Sequence, residues 1–143
     1  MERPPILLYR FGHWLHTNKM RFPAKVITWA NRMLFATFIP SSAKIGKNTK
    51  LGYLGLGIVI HKDAVIGENC TIGQNVTIGR NLGDKKVPII GNDVYIGAGS
   101  VVFGEIEIGD NSIIGANSVV TKNIPKDTIA YGNPAKIIRK KRT

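Results

Sequence analysis

From Ile45 onward an aliphatic residue returns in a six-residue phase, and this periodicity restricts what the chain can fold into more than any other feature. The series runs Ile45, Leu51, Ile60, Ile66, Ile72, Ile78, Ile90, Ile96, Val102, Ile108, Ile114, Val120. The following residue is Gly in nine of the twelve cases, the exceptions being His61, Phe103 and Thr121. Three residues after the aliphatic slot, ten of twelve are Asn, Asp or Gly. The residue after that is usually small, as at Thr49, Cys70, Ser100, Ser112 and Ser118. So short a repeat cannot bury its own apolar side, so successive repeats must stack into a shared core. Asn, Asp and Gly tolerate positive φ, which assigns their slot to the corners of a coil. The expected fold is an all-β solenoid.

Two irregularities break the rhythm. Leu51 to Ile60 is nine residues, so the stretch after Leu51 contains three extra. Ile78 to Ile90 is twelve, but the intermediate slot holds Asp84 and Lys85, so residues 80–88 read as a loop that leaves the coil and returns in phase. Interruptions of a regular scaffold are where function concentrates.

Residues 5–38 lack the repeat and carry two helical patterns. Ile6, Leu7, Leu8, Phe11, Trp14 and Leu15 suit one apolar face; Val26, Ile27, Trp29, Ala30, Met33 and Leu34 suit another. Pro23 fits the first turn of the second helix and Pro40 follows its end. The division is therefore a helical cap over 1–41, the solenoid with its loop over 42–125, and a closing segment with a basic tail over 126–143. A solenoid's terminal coil must be covered, which favours capping for the helices. Trp14 and Trp29 beside Arg10, Lys19, Arg21, Lys25 and Arg32 give the alternative, a peripheral membrane contact.

The net charge of +11 sits at the ends: +8 over residues 1–50, −2 over 51–130 and +5 over 131–143. Basic ends attract anions such as a phosphorylated cofactor or a lipid surface. No nucleic-acid motif accompanies them, so no nucleic-acid partner is expected. The opening MERPPILLYRFGHWLH does not read as a signal peptide, and no run approaches the roughly 20 apolar residues of a membrane span. With Cys70 the only cysteine, no disulfide can form within the chain, which fits a cytoplasmic protein, placed if anywhere at the inner membrane surface.

The repeat resembles the hexapeptide-repeat acyltransferases, whose fold is a left-handed parallel β-helix of triangular section. The handedness is implied by that resemblance alone. Residues 108–138, IGDNSIIGANSVVTKNIPKDTIAYGNPAKII, look like the last coils of serine acetyltransferases and polysaccharide O-acetyltransferases. The resemblance implies acetyl-CoA as co-substrate, held in a groove between subunits of a homotrimer. It implies Gly97, Ala98, Gly99 and Ala116 against the pantetheine arm, and Lys122 and Lys136 near the phosphates. Physical reasoning agrees, since Gly and Ala allow close approach to backbone and Lys attracts phosphate.

Transfer to a hydroxyl needs a general base, and His is the usual one near neutral pH. His13 and His16 fall in the first predicted helix. His61, the only histidine in the solenoid, occupies a slot normally held by Gly. It is the expected base, with Asp63 orienting it from the same strand face. Tyr53 is a substrate contact or a positioner of His61, and Lys85 and Lys86 are candidate contacts for a phosphate or an acidic acceptor. Cys70, in the small inward slot, reads as core and not as an acyl carrier.

Serine acetyltransferases carry an Asp–His pair where this chain has Gly52 and Tyr53, and a second His where it has Lys85 to Pro88. The stretch GYLGLGIVIHKDAVIG resembles a subgroup of short relatives tied to capsule and exopolysaccharide synthesis. The expected function is therefore O-acetylation of a sugar in a surface-polysaccharide pathway. Serine O-acetylation and a non-catalytic, membrane-associated scaffold are the alternatives. A zinc enzyme of the trimeric carbonic anhydrase type needs three His on the solenoid, so no metal is expected.

Overall fold

The computed structural model describes residues 2–142. Two helices open the chain, α1 (Pro4–Thr17) and α2 (Arg21–Phe35). Proline stands at the first turn of α1, where its missing N–H leaves no bond unmade. α2 stops at Ala36, whose left-handed φ of 51° turns the chain away.

The chain then winds through four coils of three short strands. The first has β1 (Lys44–Ile45), β2 (Lys50–Leu51) and β3 (Val59–Ile60). The second has β4 (Val65–Ile66), β5 (Thr71–Ile72) and β6 (Thr77–Gly79). The third has β7 (Ile89–Ile90), β8 (Tyr95–Ile96) and β9 (Val101–Phe103). The fourth has β10 (Glu107–Ile108), β11 (Ile113–Ile114) and β12 (Val119–Val120). An antiparallel pair, β13 (Thr128–Gly132) and β14 (Ala135–Lys140), follows.

Strands stack in parallel on three faces: β1-β4-β7-β10, then β2-β5-β8-β11 continued by β13 and β14, then β3-β6-β9-β12. The fold is a left-handed parallel β-helix with an N-terminal helical segment. Register pairs each aliphatic slot with its counterpart one coil on, Ile45 with Ile66, Leu51 with Ile72, Ile60 with Ile78. All twelve slots are buried, and so are the small residues beside the corners. Thr49, Ser100 and Ser112 in those small positions donate to carbonyls of the next coil (Gly67, Gly115, Pro125) at 2.8–2.9 Å.

The helices cover the first coil. Ile6 and Tyr9 join the solenoid core, and the Tyr9 hydroxyl donates to the Ala43 carbonyl. Burial pushes the Tyr9 phenol up to about 12. The Arg10 guanidinium donates to the Ile45 and Gly46 carbonyls and pairs with Glu2 at 2.8 Å, holding that carboxyl below its ordinary range. The helical faces differ from expectation. Leu7, Phe11, Trp14, Val26, Trp29, Met33 and Leu34 are exposed, while α2 buries Ala24, Thr28 and Asn31 against the protein. Ser41 explains the choice on α2: its hydroxyl bonds the Ala24 carbonyl and the Thr28 hydroxyl, anchoring the polar side inward.

Candidate active site

The three edges of the prism are not equivalent, and the Gly slot explains why. At Gly46, Gly67, Gly73, Gly91, Gly97 and Gly109 an added Cβ would lie 2.3–2.6 Å from an atom of the next coil, so no side chain fits. These belong to the first edge (between the first and second faces) and the second (between the second and third). At the third edge the equivalent column reads His61, Gly79, Phe103, Thr121, and a Cβ on Gly79 would meet nothing within 4 Å. The three exceptions to the glycine rule are thus one column on the edge from which residues 80–88 depart. Corner conformations divide the same way. Asn48, Asn69, Asp93 and Asn111 on the first edge, and Asn75, Gly99 and Asn117 on the second, have positive φ. Asp63, Asn81 and Asn123 on the third edge are not among the residues with positive φ, so their slot there does not turn the chain that way.

His61 therefore sits where a side chain has room. Its ring is one quarter exposed, and its backbone is fixed by an N–H bond to the Ile78 carbonyl of 2.8 Å. It opens into a groove of about 630 Å³ between α2 and the third face, together with Trp29, Phe38 and Val59. Arg21, Lys25 and Lys62 line the same groove and no carboxylate does. Nothing in the residue pattern marks Trp29, Phe38 or Lys62 as neighbours of His61, because helix and coil meet there through tertiary packing.

Asp63 is close to His61, but in a turn instead of on a shared strand face. The Asp63 backbone N–H approaches His61 Nδ1 at 3.2 Å, and its carboxylate lies 3.8 Å from the same nitrogen. Asp63 also lines a second hollow of about 440 Å³ with Lys85 and Lys86 of the loop. Lys86 is engaged by Glu105 at 3.1 Å. Lys122 is exposed on this third edge, three coils from His61.

Tyr53 belongs to the second edge and is not beside His61. It is three-quarters exposed and lines a separate hollow with Met33, Leu34 and Leu56. The extra residues after Leu51 form a 3-10 turn, Gly52–Gly55, in which Tyr53 and Leu54 both hold left-handed backbone (φ 46° and 56°). Two consecutive non-glycine residues in that region are strained, and such strain collects at functional segments.

Further along the same edge stand Gly97, Ala98, Gly99 and Ala116. Asn117 N–H donates to the Ala98 carbonyl and Gly99 N–H to that of Gln74, which ties the corners into a ladder. Among the described residues, neither the Ala98 nor the Ala116 N–H donates a hydrogen bond, although Ala116 is exposed. Gly97 is buried beneath the Ala116 backbone, so its missing side chain lets the two coils stack closely. Lys136 is exposed on β14, opposite Tyr131, whose Cβ packs over Gly115 at the far end of this edge. Cys70 is buried, its thiol directed at the Gly91 carbonyl and raised in pKa by burial, which suits a core residue and not a nucleophile.

Residues 42–81 and 88–122 match the family of bacterial transferases with hexapeptide repeats (six repeats). The gap between the two segments is the loop. Among solved structures, serine acetyltransferase of Brucella abortus strain S19 is 33% identical with a TM-score of 0.91, covering 96% of this chain and 56% of that one. The same enzyme in complex with coenzyme A gives 32% and 0.91, covering 96% and 55%. A serine acetyltransferase in complex with cysteine gives 33% and 0.88, covering 94% and 56%. The chain spans about half the length of these solved relatives. No curated protein sequence matches it significantly.

Proposed function

The chain belongs to the bacterial transferase hexapeptide family, and we propose that it is an acetyl-CoA-dependent O-acetyltransferase whose active site is completed between two copies. The observation that carries this reading is the division of the site residues between two edges. The unpartnered N–H groups of Ala98 and Ala116 follow the second edge, with Lys136 near its end. His61 and the loop follow the third. An amide-bearing arm such as pantetheine suits the first set, and a base suits the second. Within one chain the width of the third face separates them, so a threefold assembly that sets one edge against another joins both halves. The solved relative that holds coenzyme A supports the choice of donor.

In this mechanism His61 Nε2 takes the proton of an acceptor hydroxyl while the oxygen attacks the thioester carbonyl. The tetrahedral intermediate expels the CoA sulfur, which takes the proton back from the imidazolium. Backbone N–H groups stabilise the intermediate oxyanion. For Nε2 to act as the base Nδ1 must carry the proton, so the Asp63 N–H from which Nδ1 accepts at 3.2 Å has to give way to an acceptor during turnover. The Asp63 carboxylate, 3.8 Å from Nδ1, is the acceptor that would take that place.

Serine is the first acceptor to test, because the solved relatives carry that substrate in their names at about one third identity. A sugar hydroxyl is the second reading, favoured by Gly52 and Tyr53 standing where serine acetyltransferases carry Asp and His. Release of thiol from acetyl-CoA, followed with serine and with free, nucleotide-linked and lipid-linked sugars, separates the two. His61→Ala should lower the rate by at least about a hundredfold with sedimentation unchanged. No turnover with any acceptor, or an undiminished rate in the variant, would overturn the assignment.

A further inference from the structure

We propose that the outer face of the α1–α2 hairpin docks on a lipid surface bearing anionic headgroups. Leu7, Phe11 and Trp14 form a stripe at helical spacing on α1, opposite Tyr9. Phe22, Val26, Trp29 and Met33 form a second stripe on α2, opposite Thr28. Tyr9 is bonded to Ala43, and Thr28 to Ser41, so both helices rest on the solenoid by those sides. The α1 stripe, with Phe22 and Val26 of α2, therefore points away from it, while Trp29 and Met33 stand at the rims of the His61 groove and the Tyr53 hollow. These side chains are large and open: Phe22 is 78% exposed, Met33 81%, Trp14 and Trp29 57% each. Leu7, Phe11, Trp14, Val26, Trp29 and Met33 belong to the apolar faces assigned to capping from the sequence, and among the described residues they remain largely uncovered.

Charge selects the occupant. Residues 1–41 carry six Lys or Arg and one acid, Glu2, whose carboxylate is held by Arg10 at 2.8 Å. Arg32 stacks over Trp29 at 5.4 Å, so cation and indole lie together beside the stripe. Apolar rings at the level of the acyl chains with cations among the headgroups is the arrangement of an interfacial helix. Arg10 is turned to the solenoid, but Arg3, Lys19, Arg21, Lys25 and Arg32 leave the hairpin positive. A second copy would therefore bring like charges together, whereas an acidic bilayer complements it. No helix of the described residues is long and apolar enough to cross a membrane, so the contact is with its surface.

Flotation of the full chain with vesicles tests this independently of catalysis. Binding is expected to vesicles of phosphatidylcholine mixed with phosphatidylglycerol, with a blue shift of tryptophan emission, and not to phosphatidylcholine alone. Phe11→Ser with Trp14→Ser should weaken binding by at least about tenfold. Lys19→Glu with Arg32→Glu should weaken it similarly and flatten its dependence on salt. Melting curves matched to the parent show that the variants fold. Absence of binding to the mixed vesicles, or undiminished binding by both folded variants, overturns the proposal. So does a fall in assembly mass on sedimentation of the Ser variant with vesicle binding intact, because the stripe would then belong to a contact between copies.

Discussion

At the scale of single residues, one missing methyl group separates the structural edges from the candidate active edge. Gly97 lies under the Ala116 backbone, and a Cβ there would stand 2.5 Å from the Ala116 nitrogen. Gly97→Ala must therefore push two coils apart, and a loss of about 1–3 kcal/mol in chemical denaturation is expected. Gly79→Ala, with open space around the new methyl, should fall within about 0.5 kcal/mol of the parent. The sequence already marked His61 as an exception to the glycine rule. It could not show that Phe103 and Thr121 are exceptions for the same reason, because columns become visible only when the coils are stacked. Gly97 has a packing role that the sequence does not separate from ligand approach. A glycine that admits a ligand and one that admits the next coil look alike in sequence.

At the scale of elements, periodicity made the strands legible because each slot of the repeat is set by local sterics and by its own copy one coil away. Residues 80–88 were legible as a departure, since the phase resumes at Ile90. Excision of 82–87 restores the six-residue spacing from Ile78 to the next aliphatic slot found at other corners. The solenoid should then keep its far-ultraviolet spectrum and melt close to the parent temperature, while acetyl transfer is lost with the Lys85 and Lys86 side of the hollow. Substantial remaining activity would remove the loop from the site. The helices were readable as helices but not for orientation. Their apolar stripes suggested the buried side, yet Ala24, Thr28 and Asn31 took it through hydrogen bonds to Ser41 and Pro5. Bonds to distant partners leave no periodic trace.

At the scale of the whole molecule, stability is distributed coil by coil, each contacting only its neighbours. The two ends therefore carry a burden that the middle does not. The helical hairpin covers one end. At the other, Ile124 bridges back to Ile108 and the second face continues into β13 and then β14. Removal of residues 126–143 should leave that terminus unpaired, and elongated thioflavin-positive aggregates visible by electron microscopy are expected. A truncated protein that stays dispersed would show that the closing segment has no such role. The reversal of direction at β14 acts as a stop signal for growth. A bare parallel coil is a template that another chain can extend with the same polarity, spacing and handedness. β14 instead presents a strand of opposite sense carrying Lys136, Arg139 and Lys140, so an incoming coil meets mismatched polarity and charge repulsion. On the second face, the parallel stacking that would otherwise propagate into a filament ends at this strand.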